Sequence, residues 1–569
     1  MIIQLNIMKY LYKIVIRSFI AFILLLGGMS SCVDNFGDVE YDLIIGGASA
    51  DSVPDIETAK GMMLDVMTRI HDSKEHQYQY QFNLHIDNYA GYLCVANNLE
   101  GRLPSTNFMN SDFERGPLSS YLMVIKQVVP VINSAEKLEF PEMGAIANII
   151  FCYSSQELTD VHGPMPYFDY RKLKQEPPME YVPVKDIYYD ILEQLKNSVE
   201  ILKNANLDDE KKKIINEFDR IAGGNIDTWI KFANTLRLRI ALHMKKADPE
   251  KARTEAEAAI KAGVLGFNDP DIELQISGKQ HPLYIISHTW NDTRLNASFE
   301  MILKRLSSPM LSVLFEANNG PVEDKNGELV LRESYEEYIG IRSGTSVFNK
   351  LNNLKAYILF SRLNVNFATK KIAILKASEA FFLRAEGALY GWDMGGTVKQ
   401  FYDEGIKLSF YRELGWESKE ATLRYNQYMR REVPEDVTYI DYYDNNNNFS
   451  DTQYMVQVGN KWDDSDTNER KLERIMTQKY IANYPLSLEA WTDMRRTGYP
   501  RQIPVVYDAG DYSTRGGIIR RIPYQLDGTV DSQDVYNTGV PALDEEATGD
   551  VKGDYQGTRL WWDVDIPNF

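Results

Sequence analysis

Cysteine is scarce: Cys32, Cys94 and Cys152 are the three in 569 residues. That is too few for a disulfide framework or a four-ligand structural zinc site. Histidine is sparse too, with seven residues, none in an H-E-x-x-H pair or at another zinc spacing. There is no P-loop, no dinucleotide-binding glycine fingerprint after a strand, and no G-x-S-x-G elbow. Positive charge is in deficit, at 62 Lys and Arg against 81 Asp and Glu. Three of those bases, Lys9, Lys13 and Arg17, lie in the first 31 residues, which hold no acid, so the rest carries 59 against 81. Such a surface repels phosphate and excludes nucleic acid as a partner. It also mildly favours neutral or cationic ligands over sulfated or uronic polysaccharides, unless local charge reverses the balance. Hydrophobic residues at 44% and charged residues at 25% exclude wholesale disorder.

Long apolar runs are missing as well. The longest, residues 18–28, has 11 residues, whereas a spanning helix needs ~20. Behind a basic segment that starts best at Met8-Lys9, this run is the h-region of a secretory signal. Met29-Ser30-Ser31-Cys32 then resembles a lipobox, which makes 1–31 a lipoprotein signal peptide and Cys32 the lipidated first residue. Residues 32–50 are polar and acidic, with Asp34, Asp38, Glu40 and Asp42, and read as a flexible tether. The expectation is a protein held to a membrane by its N-terminal lipid, with 51–569 as a single domain.

That domain reads as mainly α, with helices in pairs. Apolar periodicity and breakers predict helices at 144–158 with 184–202, 228–244 with 250–262, 375–390 with 397–414, and 469–483 with 486–496. Four hairpins of this size suggest tetratricopeptide-like repeats forming a scaffold. Residues 71–120, 264–350 and 431–468 are insertions rich in Asn, Asp, Tyr and Gly, and 500–569 mixes prolines and glycines with short β-branched runs. Together they predict a loop-rich cap with a few short strands.

No local pattern selects a catalytic pair among the many carboxylates. Two acidic loops start like calcium loops, at Asp444 and at Asp464. Their sixth positions are Phe449 and Glu469 and their twelfth are Met455 and Ile475, so both fail the pattern. No metal and no cofactor is expected. What stands out is aromatic residues set in polar loops. A flat ring packs on the apolar face of a sugar or on a peptide side chain, and neighbouring Asn, Asp and Arg fix orientation. The candidate ligand-binding residues are Tyr78, Tyr80, Asn97, Asn98, Phe108, Trp290 with Asn291, Asp292 and Arg294, and Trp462. Trp290 is the leading one, because polar residues without helical period surround it. Trp392, Trp491, Trp561 and Trp562 read as packing residues, and His162 as a loop anchor. Cys94 and Cys152 read as buried free thiols.

Several stretches carry a family resemblance: the Cys32 signal, residues 148–168 (NIIFCYSSQELTDVHGPMPYF), 229–239 (WIKFANTLRLR), 382–386 (FLRAE), the turn Gly391-Trp-Asp-Met-Gly-Gly396 and 489–496 (EAWTDMRR). In this order they resemble the SusD/RagB outer-membrane lipoproteins, of the subgroup with a G-W-x-M-G-G turn. The resemblance implies a cell-surface nutrient-binding lipoprotein that sits on a SusC-like TonB-dependent transporter in the outer membrane. Such a protein passes oligosaccharides, or in some members peptides, to the barrel. It also implies that the hairpins are scaffold and that ligand contacts come from the insertions, with no ligand residue shared across the family. A binding protein is therefore expected, not an enzyme. The alternatives are a peptide binder on the same scaffold and a surface glycoside hydrolase.

Overall fold

Four helical hairpins follow one another along the chain, and sequence-local signals set their ends. In the computed structural model the described residues are 53–96, 111–174, 177–276, 278–345, 357–508, 510–514, 517–525 and 532–569. The signal, Cys32 and the whole of the tether therefore lie outside the described residues. We number the hairpin helices α1 Pro141–His162, α2 Val184–Lys203, α3 Ile226–His243, α4 Pro249–Ala262, α5 Ala377–Leu389, α6 Val398–Leu414, α7 Asn468–Asn483 and α8 Ser487–Thr497. Asn225, Asp248, Thr397 and Thr467 cap α3, α4, α6 and α7 by accepting from a backbone N–H three residues on. Gly263, Gly415 and Gly498, all at positive φ, stop α4, α6 and α8. The mainly helical architecture and its four tetratricopeptide-like hairpins are thus as the periodicity predicts.

The Gly391–Gly396 turn shows why its motif has that composition. Met394 is buried and folds back over Gly387 of α5, where a Cβ would lie 2.7 Å from its sulfur. Gly391 and Gly395 adopt φ of 81° and 76°, which lets the turn reverse so tightly. Further along, a Cβ on Gly405 of α6 would come 2.9 Å from the Phe382 ring of α5. The third hairpin is therefore unusually close-packed.

Six described strands form three two-stranded ladders: β1 Leu93–Val95 with β3 Thr293–Leu295, β2 Ile272–Leu274 with β6 Ile372–Leu375, and β4 Val322–Glu323 with β5 Leu329–Leu331, all antiparallel. The β-branched run Ile372–Leu375 pairs as a strand, so α5 begins at Ala377 instead of 375. Two further helices longer than eight residues begin inside predicted loop insertions, and the first runs on past residue 120. Gly116–Ser134 starts on Pro117 and packs on α1, and Ala297–Arg305 is capped by Asn296. Neither is predicted from the sequence: loop-like surroundings mask Ala297–Arg305, and most of Gly116–Ser134 lies beyond the insertion in a stretch given no helix. Cys94 and Cys152 are buried and unpaired.

Where the hairpins meet, the interior is charged. Arg239 of α3 donates two bonds of 2.8 Å to Glu379 of α5. Lys479 of α7 reaches Glu489 at 2.5 Å and Asp493 at 2.8 Å, both on α8. Arg496 of α8 grips Glu386 of α5 at 2.5 and 2.7 Å and also Asp493 at 2.6 Å. His243 of α3 lies 3.2 Å from Glu489 and 3.5 Å from Asp160 of α1, which also accepts from the Tyr188 hydroxyl of α2 at 2.5 Å. Six hairpin helices are joined in one buried network. Burial opposes the Glu489 charge, but Lys479, Arg239 and His243 outweigh it and hold its carboxyl well below the usual range. Burial likewise works against a protonated His243, yet Glu489 and Asp160 raise its pKa above the ordinary 6.5.

Removing one partner from such a network leaves a buried charge uncompensated. Lys479→Met should cost about 3–5 kcal/mol in urea unfolding, whereas Lys399→Met, at an exposed pair, should cost little. Because the folded pKa of His243 is raised, its contribution is present below its ordinary pKa and is lost as pH rises through the folded value. Stability measured against pH should therefore decline on that alkaline side, and His243→Gln should flatten the decline.

Candidate functional site

The β1–β3 ladder gathers three stretches that are far apart in sequence. Val95 pairs with Thr293, Cys94 with Arg294, and Ala96 N–H donates to the Asp292 carbonyl at 2.8 Å. The π-helical turn Gln79–Asn83 closes on the same place: Gln79 Nε2 donates to Asp292 Oδ2 at 2.9 Å and Asn83 Nδ2 to Thr293 Oγ1 at 3.2 Å. Residues 76–83, 93–96 and 290–294 thus converge.

Trp290 ends a second π-helical turn, Ile285–Thr289, and is half-buried. His76 stacks on its ring with centroids 4.3 Å apart and planes at 29°. The next residue, Asn291, takes φ 60°, a left-handed conformation that asparagine tolerates better than most side chains. That reversal aims its Oδ1 at Arg294 Nη2, 2.8 Å away.

Arg294 is fully buried and faces the protein on every side. Nε donates to the Ile358 carbonyl at 3.0 Å, and Nη1 to the carbonyls of Ser287 at 3.0 Å and Thr293 at 2.7 Å. Burial, with Arg362 nearby, lowers its pKa to about 9. Its effect is to clamp the Trp290 turn to the chain at Ile358. Asp292 is buried on Gln79.

The remaining expected ligand residues are placed as follows. Tyr78 is buried, edge-on to Phe82 and His281. Tyr80 is half-buried with its ring edge-on to Phe113 at 5.5 Å. Trp462 is 8% exposed, packs on Tyr402 and donates Nε1 to Asp464 at 2.7 Å. Asn97, Asn98 and Phe108 lie outside the described residues; Ala96, on the ladder beside Asp292, immediately precedes Asn97. The structure therefore brings Trp290, Asn291 and Tyr80 to one region and sets Trp462 elsewhere in the chain's packing, against α6. His76, which stacks on Trp290, is a residue that sequence reasoning missed. Its only signal was a lone histidine in a Tyr- and Gln-rich loop, which says nothing about a tryptophan over two hundred positions later.

The clusters that could suggest a metal site are matched internally. His243, Glu489 and Asp493 offer ligand atoms within 4.8 Å of one another, but the Lys479 ammonium already sits against both carboxylates. In the two acidic loops, Asp444 pairs with Lys325 at 2.6 Å, and Asp466 binds Arg470 at 2.8 Å and Arg474 at 2.5 Å. His162 does anchor a loop, through Nδ1 to the Ile522 carbonyl at 2.9 Å.

A family model described as SusD-like, SusD and RagB outer membrane lipoprotein, matches residues 48–563. The chain belongs to this family. Solved structures agree. A chitin-binding SusD homologue from Flavobacterium johnsoniae is 29% identical, with a TM-score of 0.75 over 90% of this chain and 100% of that one. A SusD homologue from Bacteroides thetaiotaomicron is 26% identical, with a TM-score of 0.75 over 89% and 99%. One from Bacteroides ovatus is 25% identical, with a TM-score of 0.75 over 90% and 100%. No curated protein sequence matches. As a SusD-like protein, this chain has no helix among its described residues long and apolar enough to cross a membrane.

Proposed function

We propose that this SusD-like protein captures nutrient glycans at the cell surface and delivers them to a SusC-like TonB-dependent transporter. In this reading it is anchored by lipid on Cys32, faces outward, and does no chemistry on its ligand. Family membership and the chitin-binding neighbour support the glycan reading. The observation that carries it is the Trp290–His76 stack, a half-buried flat aromatic face held at a ladder end by Arg294 and flanked by Asn291. Tyr80 stands at the same region, and Asn97, Asn98 and Phe108 continue from the ladder in sequence. One stacked ring contributes roughly 0.5–1.5 kcal/mol beyond its buried area, so short sugars should bind weakly and chains spanning several platforms more tightly.

The test is affinity electrophoresis of the full chain in nonionic detergent, through gels containing chitin-derived and other plant and host polysaccharides. Retardation by one polymer supports capture and names the substrate class. No retardation by any, with binding of peptides instead, would replace it with the peptide-binding reading. Trp290→Ala should weaken binding of the retarding polymer by up to about tenfold, with the melting temperature within about 2 °C of the parent. Unchanged binding, or a large stability loss alone, would remove Trp290 from the site.

A further inference from the structure

Among the described residues, a cleft at the C-terminal side of this acidic chain is lined mainly by basic side chains. A cleft of about 530 Å3 lies beside the end of α8, between its Gly498 turn and the C-terminal residues. Lys246, Arg495, Arg496, Arg501, Arg520 and Arg559 line it, against the carboxylates of Glu469 and Asp565. Arg496 is neutralised inside by Glu386 and Asp493. Arg520 and Arg559 share the carboxylate of Asp563, at 2.8 and 2.9 Å, and Arg559 also holds Asp565 at 2.8 Å.

Among the described residues, the other three cations are less fully paired. Arg495 is buried between Trp491 and Trp562, its guanidinium carbon 3.7 and 4.7 Å from their ring centres, and donates to carbonyls and to the Thr492 hydroxyl. Lys246 donates to the Ile566 carbonyl at 2.8 Å, and the nearest carboxylate to Arg501 is Glu473 at 3.8 Å. This surplus has an electrostatic cost: burial, with Lys245 and Arg496 alongside, lowers Lys246 to about 8. Asp563 and Glu469 offset this only in part; Glu469 itself accepts from the Tyr499 hydroxyl at 2.8 Å and from Asn568 Nδ2 at 2.9 Å.

A second cleft, of about 390 Å3, shares the wall made by Gln502, Gly517 and Ile518. Its lining is apolar along Ile503, Pro504 and Val505, with Tyr454 exposed at its rim. Tyr89 also lines it, and its hydroxyl is buried with no hydrogen-bond partner. An orphaned hydroxyl at a cleft wall is a group that a hydroxyl-bearing ligand would satisfy.

We propose that the two adjoining clefts form one groove for an acidic oligosaccharide, with a uronate carboxylate taken by Lys246 and Arg501 and a neighbouring sugar against Tyr454 and Tyr89. The groove is separate from the Trp290 surface. The choice of a sugar over a peptide rests on the glycan reading above and on the aromatic, hydroxyl-directed lining of the second cleft. A ligand carboxylate there would strengthen charge pairing that the chain itself supplies only at long range. Net charge argued the other way, but net charge averages over a surface on which this cleft is a local exception.

The experiment is titration calorimetry of the full chain in nonionic detergent with hexamers of galacturonate, mannuronate and glucuronate. Carboxyl-reduced forms of the same hexamers and a hexaglutamate peptide are run in parallel. At least one uronate should bind tenfold or more tightly than its reduced form and than the peptide, and should weaken as salt rises. Arg501→Gln and Lys246→Gln should each lower that affinity about tenfold at an unchanged melting temperature. Equal binding of acid and reduced forms, binding of no uronate, a preference for the peptide, or folded variants with full uronate affinity would each overturn the proposal. Binding of reduced hexamers without uronate preference would overturn only the acidic groove and leave glycan capture standing.

Discussion

An ammonium group buried among carboxylates, that of Lys479, determines how the last hairpin meets the second and third. Lys479 bridges Glu489 and Asp493 on α8, and those carboxylates in turn face His243 and Arg496. Arg239–Glu379 and Arg496–Glu386 then bind α3 and α8 to α5. Apolar packing alone would let hairpins slide past one another at small cost, since it is non-directional. Paired charges cannot slide, because a displaced partner would leave a buried ion alone. The scaffold is thereby held in one arrangement, and the insertions inherit fixed points of departure.

The same logic recurs on a smaller scale at the surface. Arg294 has no described carboxylate within ion-pair reach; it is a buried clamp that gathers the carbonyls of Ser287, Thr293 and Ile358 and the Asn291 side chain. A loop alone would let Trp290 sample many orientations. Ladder pairing on one side, the clamp beneath and His76 against its ring narrow those orientations, so that in the proposed role Trp290 would meet a ligand at a lower ordering cost. Rigid hairpins beneath a pinned aromatic turn are a reasonable division between support and contact.

The repeats, their turns and the family were legible because their signals are local. Apolar spacing, an N-cap such as Thr397 and a stop such as Gly263 or Gly498 each act within one or two turns of helix. The Gly391–Gly396 motif was legible for the same reason: Met394 covers Gly387 only seven residues away. The helix Ala297–Arg305 was not, since its neighbours in sequence look like loop and its stability comes from what it packs against.

The candidate site divides along the same line. Sequence alone determined that aromatic and amide residues crowd the insertions, that Trp290 is embedded in polar chain, and that the overall charge is acidic. Tertiary structure decided what those residues face: Arg294 inward instead of outward, Trp462 against Tyr402, His76 onto Trp290, and basic residues from α8 and the C-terminal stretch around one cleft. The reason is physical. Composition and period report on neighbours a few residues apart, whereas a stack, a clamp or a charged cleft depends on distances between segments hundreds of residues apart, and only the packed chain sets those.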